Sequence, residues 1–340
     1  MGGVDGPGTV VGYAVDTKSH RAPFSQQRSP LNTVSPLLCM AALVPNRFRQ
    51  NLALLASVSR LHIVAIAALG TLTFGWLFTG RHRPQLAALT ALDWFLVNLL
   101  NRVVDLPEDR QNGIRGTDFV AQHRRWLTPL CFVLLLGSLA LTHAFCPQLT
   151  PLRVGYHALG LAYNYPLLPG RRRIKQLYFF KNTASALGFL LTVFAYPLRF
   201  DPAAPRAAGI STATVLFAAA YFFFFELSYE VIYDLRDAPG DAAAGVRSYP
   251  VVHGQAGAVR IIDGLLLASA AVLAIGYAGG VVPWRLFIMI CAPAIQFFLY
   301  KRWLRRGITS ADCISLTWLG ALLLATYHLW IQLGLPGSAL

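Results

Sequence analysis

The sequence predicts an all-α, polytopic membrane protein, with nine transmembrane helices bundled around a central cavity. Hydrophobic residues make up 55% of the 340 positions and charged residues 13%. Soluble domains carry about 25% charged residues, and the mean hydropathy here is +0.50. Beyond residue 50 the apolar residues gather into nine segments, near 54–79, 86–105, 127–146, 151–168, 177–198, 210–235, 257–279, 282–300 and 312–334. Each is long enough to cross a hydrocarbon core of ~30 Å at ~1.5 Å per residue. Helices are the default because an open sheet edge has no hydrogen-bond partners in lipid.

Residues 1–50 are rich in Gly, Pro, Ser and Arg and lack sustained periodicity, so they are expected to form a disordered tail before a membrane domain at 51–340. Cys39, Cys131, Cys146, Cys291 and Cys313 form no C-x-x-C pair and suggest neither a disulfide framework nor a zinc site. The net charge of +14 does not point to nucleic acid, because the basic residues sit in short clusters between apolar runs. Loops and helix ends after segments 2, 4, 6 and 8 carry 16 Lys and Arg. Those after segments 1, 3, 5 and 7 carry 6. The 16-residue side is expected to be cytoplasmic. The expected location is a bacterial inner membrane.

Segment 2 ends in "NRVVDLPED" (101–109), and segment 6 ends in "YEVIYDLRDAPGD" (229–241). Both contain Asp-x-Pro-x-Asp, at Asp105–Asp109 and Asp237–Asp241, and both follow even-numbered segments, so they share one membrane face. Asn101, Asp105 and Asp109 are spaced i, i+4, i+8 on one helical face, with a kink or end expected at Pro107. Pro239 and Gly240 are expected to end the second helix after Asp237 and leave Asp241 on a loop. Four carboxylates at one site repel one another, and a hard cation relieves this. Mg²⁺ binds through one or two carboxylates and the phosphates of a substrate. Facing Asp-rich stretches therefore suit a diphosphate held through Mg²⁺, with Arg110, Arg115, Lys175, Lys181 and Arg247 near enough in sequence to take the remaining phosphate charge. One such stretch alone fits a solvated loop equally well; two at the same face fit it poorly.

These residues carry a resemblance. Asn101-x-x-x-Asp105-x-x-x-Asp109 is similar to the first Asp-rich motif of the UbiA superfamily of intramembrane prenyltransferases. "DLRDAPGDAAAGVRSYPVVHG" (234–254) resembles the second motif and its following loop, and "YNYPLLPGRRRIK" (163–175) resembles the family's Tyr-Ser-x-Pro…Arg-Leu-Lys element. The resemblance spans about residues 50–335 and includes the count of nine helices. It implies an all-helical enzyme that binds an allylic polyprenyl diphosphate through Mg²⁺, ionises it and alkylates a lipophilic, aromatic or other, acceptor. Asn101, Asp105, Asp109, Asp237 and Asp241 would hold Mg²⁺ and diphosphate. Arg115, Tyr163 and Lys175 would contact the diphosphate, with Asn164 where the family has Ser or Thr, and Arg173 or Lys181 as alternatives to Lys175. Tyr233 and Asp234 join them on segment 6. "RQNGIRG" after Asp109 lacks the Asn-Pro…Arg-Pro continuation, which argues against chlorophyll and haem acceptors.

Deeper in the spans, Glu226, Glu230 and Asp234 recur at i+4, and Asp93 precedes Asn101 by two turns. Intramembrane ionisable groups face the bundle interior. Glu226 and Asp93 are therefore expected either to bind the acceptor or take its proton, or to hydrogen-bond helices together. Rings among Tyr221–Phe225 are candidates to face an allylic cation. Trp94, Trp126, Trp284 and Trp330 read as interface residues, and His123, His157 and His253 as structural ones. A terpene cyclase is the runner-up in this fold, and an ion-coupled transporter the alternative of another class. The orientation is testable: cysteines introduced at positions 112 and 243 are expected to be labelled from the same, cytoplasmic side and one at 203 from the other. Labelling of 112 and 243 from opposite sides overturns the shared face.

Overall fold

The computed structural model describes residues 46–202 and 205–334. Residues 1–45 of the expected tail lie outside these, and residues 46–50 are helical. The first segment divides in two, Asn46–Val58 (α1) and Leu61–Thr79 (α2). Arg60 separates them in a left-handed conformation, φ 47° and ψ 47°, which is uncommon for a residue with a Cβ. Pro84 opens α3 (Pro84–Val104), where its missing N–H costs nothing. Then follow Leu106–Gln111 (α4), Thr117–Phe145 (α5), Thr150–Asn164 (α6), Phe180–Phe200 (α7), Thr212–Ala243 (α8), Tyr249–Ala278 (α9), Trp284–Leu304 (α10) and Ser310–Gln332 (α11).

Eight of these helices, α2, α3, α5 and α7–α11, are long and apolar enough to cross a membrane, as a multi-pass membrane protein requires. The fourth predicted segment, 151–168, is the exception in length. Its helix α6 has 15 residues, about 22 Å at 1.5 Å per residue. It stops at Asn164 because Tyr165, preceding Pro166, is extended (φ −112°, ψ 153°). Inner and outer helices are distinguished by burial of their apolar windows: 56% for α2, α3 and α7, but 17% for α5. Leu130, Val133, Leu136, Leu141 and Phe145 of α5 are exposed, as a lipid-facing stripe is. In α7, residues 190–195 widen into a π-helical turn ahead of Pro197, which has no N–H for an α-helical bond. Gly160 lets α6 approach α3, since a Cβ there would lie 2.7 Å from a Val97 methyl.

A buried ionic cluster ties α3 to α5, α6 and α7. Asp93 and Arg153 are both 0% exposed. Arg153 donates to Asp93 through Nε at 3.0 Å and through Nη2. It also donates to Thr142 Oγ1 at 2.6 Å and the Ser138 carbonyl at 2.8 Å. Tyr196 Oη donates to Asp93 at 2.9 Å. His157 Nε2 lies 3.0 Å from Asp93 Oδ1; a carboxylate only accepts, so Nε2 carries the proton. Of the two roles expected for Asp93, the structure favours helix-to-helix bonding, since its carboxylate is saturated and walled off from solvent. Asp93→Asn leaves the Arg153 guanidinium buried without its counter-charge, which costs about 3–5 kcal/mol for a broken buried pair. The expected outcome is a clear fall in melting temperature in detergent; unchanged melting would show that the cluster does not hold the bundle.

Candidate active site

A cavity of about 600 Å³ lies inside the bundle, lined from α1–α4, α6–α8 and α11. Both Asp-rich stretches reach its wall. At the first, α3 ends at Asp105 (φ −93°, ψ 23°) and α4 restarts at once, so the Pro107 kink occurs as predicted. The ladder survives it: the N–H groups of Asp105 and Asp109 donate to the carbonyls of Asn101 and Asp105, each at 2.8 Å. Asn101, Asp105 and Asp109 thus stay on one face. Asn101 Nδ2 donates to Asp105 at 2.6 Å and to Asn164 at 2.9 Å. Asp105 Oδ1 accepts from Arg173 at 2.9 Å and lies 2.7 Å from Lys175 Nζ. Both cations also pair with Glu108. They come from the segment between α6 and α7, which doubles back in a tight turn pairing Leu168 with Arg172. Asp109 accepts from Arg102 Nη1 at 2.6 Å. Burial pushes the Asp109 carboxyl above its ordinary range, against the opposing pull of Arg60 and Arg102.

The second stretch differs from expectation. α8 runs through Pro239 and Gly240 to Ala243, so Asp241 is helical and not on a loop. Proline removes one amide only, and the turn closes beyond it, with Ala244 N–H on the Gly240 carbonyl at 2.9 Å and Val246 N–H on that of Asp241 at 2.8 Å. Asp234, Asp237 and Asp241 therefore follow helical spacing toward one face. Lys181 Nζ bridges Asp234 and Asp241, 2.6 Å from each. Asn182 donates to Asp234 at 2.9 Å. Arg236 pairs with its neighbour Asp237 and lies 4.8 Å from the Tyr233 ring centre. The two stretches meet at Gly240, where a Cβ would fall 2.4 Å from Asn112 Oδ1.

Of the predicted site residues, Asn101, Asp105, Asp109, Arg115, Tyr163, Asn164, Lys175, Lys181, Glu226, Tyr233, Asp234, Asp237 and Asp241 line this one cavity. Arg173 stands just behind, on Asp105 and Glu108. Arg110 and Arg247 do not join them. Arg110, on α4, is exposed and 3.9 Å from Asp118, and Arg247, in the segment between α8 and α9, is exposed off the cavity wall. Asp93 is also absent from the wall, held in its own cluster. The rings of Tyr221–Phe225 are packing groups: Phe222 touches Phe74, Phe189 and Phe194. The aromatic wall is made instead by Trp94, Tyr156, Phe189, Tyr229 and Trp318. Trp94 is 7% exposed and donates to Thr192 at 3.0 Å, so it is no interface residue. Trp126, Trp284 and Trp330 are exposed as expected. Arg102, Glu108, Asn182 and Arg236 were missed. Arg102 was findable: it lies seven residues before Asp109, two turns on the same face.

The donor set of the mouth is oxygen only. Among the described residues no three His, Cys, Asp or Glu side chains converge closely enough to hold a metal ion by themselves.

Fold and site define a helical membrane protein whose apolar interior cavity has a mouth of paired carboxylates and cations. The chain belongs to the UbiA prenyltransferase family, whose model matches residues 68–323. Its fold is similar to that of a UbiA homologue from Archaeoglobus fulgidus bound to DMAPP and Mg²⁺, with TM-score 0.61 and 18% identity over 81% of this chain and 97% of that one. The GPP- and Mg²⁺-bound form of that homologue gives 0.60 and 17%, with the same coverage. An apo UbiA homologue from Aeropyrum pernix K1 gives 0.56 and 13% over 80% and 98%. Among curated proteins, digeranylgeranylglyceryl phosphate synthase from Methanopyrus kandleri is 30% identical over 93 residues, 27% of this chain. The match spans about a third, 34%, of that enzyme's length.

The contact between the two stretches is testable. Gly240→Ala forces the Asn112 carboxamide to rotate or the helix end to move, and overpacking of this kind costs about 1–3 kcal/mol. The melting temperature is expected to fall, and Asn112→Ala in the same chain to restore it. Equal melting of Gly240→Ala and the parent protein would show that the ends do not touch.

Proposed function

We propose that the protein is a membrane prenyltransferase. It binds an allylic polyprenyl diphosphate through Mg²⁺ at the two Asp-rich stretches and transfers the prenyl group to a lipophilic acceptor in the cavity. One observation carries the reading: the two stretches, distant in sequence, line one cavity mouth and are interleaved with Arg102, Arg173, Lys175, Lys181 and Arg236.

The residues present fit Mg²⁺, a hard cation that takes oxygen ligands and is bound through one or two carboxylates and substrate phosphates rather than an all-protein cage. Asn101, Asp105, Asp109, Asp237 and Asp241 are the candidate ligands. When bound, Mg²⁺ neutralises charge that builds on the leaving diphosphate. The cations that now neutralise these carboxylates are placed to turn to phosphate oxygens. Lys175 and Lys181 act as point charges, and Arg173 offers the planar fork that suits phosphate. The aromatic wall below excludes water from the allylic carbon and offers ring faces to a developing cation, each contact worth about 2 kcal/mol when desolvated. The catalytic domain in this reading is residues 51–340 behind a tail. The 16-to-6 charge asymmetry supports placing the mouth on the cytoplasmic side of the membrane, taken here as a bacterial inner membrane.

The test is incubation of purified protein in detergent with C10 to C20 allylic diphosphates, Mg²⁺ and candidate acceptors. Diphosphate release is measured, and product mass separates transfer from cyclisation. Asp105→Asn and Asp237→Asn are each expected to lower Mg²⁺-dependent diphosphate release by at least about a hundredfold, the usual effect of removing a charge-stabilising group. Both variants are expected to stay folded by melting. Full turnover in both overturns the assignment.

A further inference from the structure

Below the mouth, the charge balance of the cavity changes. Mouth carboxylates all have a cation bonded to them. One and two turns further into α8, Glu230 and Glu226 line the same cavity with none. Glu230 accepts one hydrogen bond, from Ser185 Oγ at 2.6 Å. Glu226 is 7% exposed and has no hydrogen-bond or ion-pair partner among the described residues. The cations within electrostatic reach of Glu230 are Arg60 and Lys181. Arg60 is bonded to Asn98, and Lys181 to Asp234 and Asp241. Tyr156, on the same cavity wall, keeps a buried hydroxyl with no partner among the described residues.

A buried carboxylate without a donor bears its full desolvation cost. Two of them at i and i+4 are neighbours on the helix surface and repel when charged, so the pair retains a proton and carries less than its full charge. A ligand that donates hydrogen bonds relieves both costs, and one that brings a carboxylate of its own adds a further like charge. We infer that Glu226 and Glu230 form the acceptor subsite and select an uncharged, hydroxylated acceptor over an anionic one. This rests on the prenyltransferase reading and adds the class of the second substrate to it. The acceptor's nucleophilic atom gives an electron pair to the allylic carbon as the bond to diphosphate breaks. Diphosphate leaves with the electrons of that bond, and the proton released by the acceptor passes to the ionised member of the Glu226–Glu230 pair and from there out through the cavity mouth.

The experiment separates this inference from the reading beneath it. Mg²⁺-dependent diphosphate release by the parent protein tests the enzyme. Equilibrium dialysis of the metal-free parent protein with resorcinol and with 3-hydroxybenzoate, alike in size but not in charge, tests the subsite. Resorcinol is expected to bind at least about tenfold tighter, the factor set by a hydrogen bond to a charged group. In Glu226→Gln and Glu230→Gln, each matched in shape, that preference is expected to shrink toward unity. A parent protein that releases diphosphate yet binds 3-hydroxybenzoate as tightly as resorcinol overturns the inference and leaves the enzyme standing. A preference that survives in both variants overturns it as well.

Discussion

Carboxylates confined in an apolar bundle must be neutralised, and the pairing that does so organises this protein. Asp105, Glu108, Asp109, Asp234, Asp237 and Asp241 crowd one end of a cavity. Each is bonded to lysine or arginine, and all but Asp237, which pairs with its neighbour Arg236, take that partner from another turn, loop or helix. Lys181 binds α7 to α8, and Arg173 and Lys175 bind the α6–α7 segment to α4. The contacts that would grip a substrate are therefore the same ones that close the mouth. In the proposed reading, a diphosphate with its metal would exchange one set of charge pairs for another, so the folded chain is balanced before it arrives. Deeper in the membrane the Asp93–Arg153 cluster follows the same rule with no opening to solvent.

Much of this was legible in the sequence. Apolar segment lengths gave the bundle, because in lipid only a helix satisfies its own backbone. Spacing gave the first Asp-rich face, because Asn101, Asp105 and Asp109 repeat every four residues, and the ladder holds across Pro107. What spacing cannot give is which residues of other helices arrive opposite. Asp93 and Glu226 look alike on paper, each an acid about three turns inside a span. Arg153, His157 and Tyr196 surround one, and open cavity faces the other. That difference is tertiary.

The helix at Pro239 was misread for a related reason. Proline weakens a helix by a fixed local amount, but the outcome depends on what the next turn packs against. Here Gly240 lets Asn112 come close, and Asp241 is held by Lys181. Similarly, the run Tyr221–Phe225 contains ample ring surface, but Phe222 packs on Phe74, Phe189 and Phe194 and Tyr221 on Phe225, and none of the five lines the cavity. The aromatic wall of the cavity is drawn from five different helices, a pattern with no signature along the chain.

The short helix α6 has a consequence for the bilayer itself. At about 22 Å it falls some 8 Å short of a ~30 Å hydrocarbon core, and irregular backbone at that depth is tolerated only where protein or a wet cavity surrounds it. The turn after it carries Arg171, Arg172 and Arg173, the first two exposed. A short helix ending in charged groups favours a local thinning of the hydrophobic layer around it. A lipid-tailed molecule drifting in the leaflet can present its polar end there while its chain stays among the acyl chains.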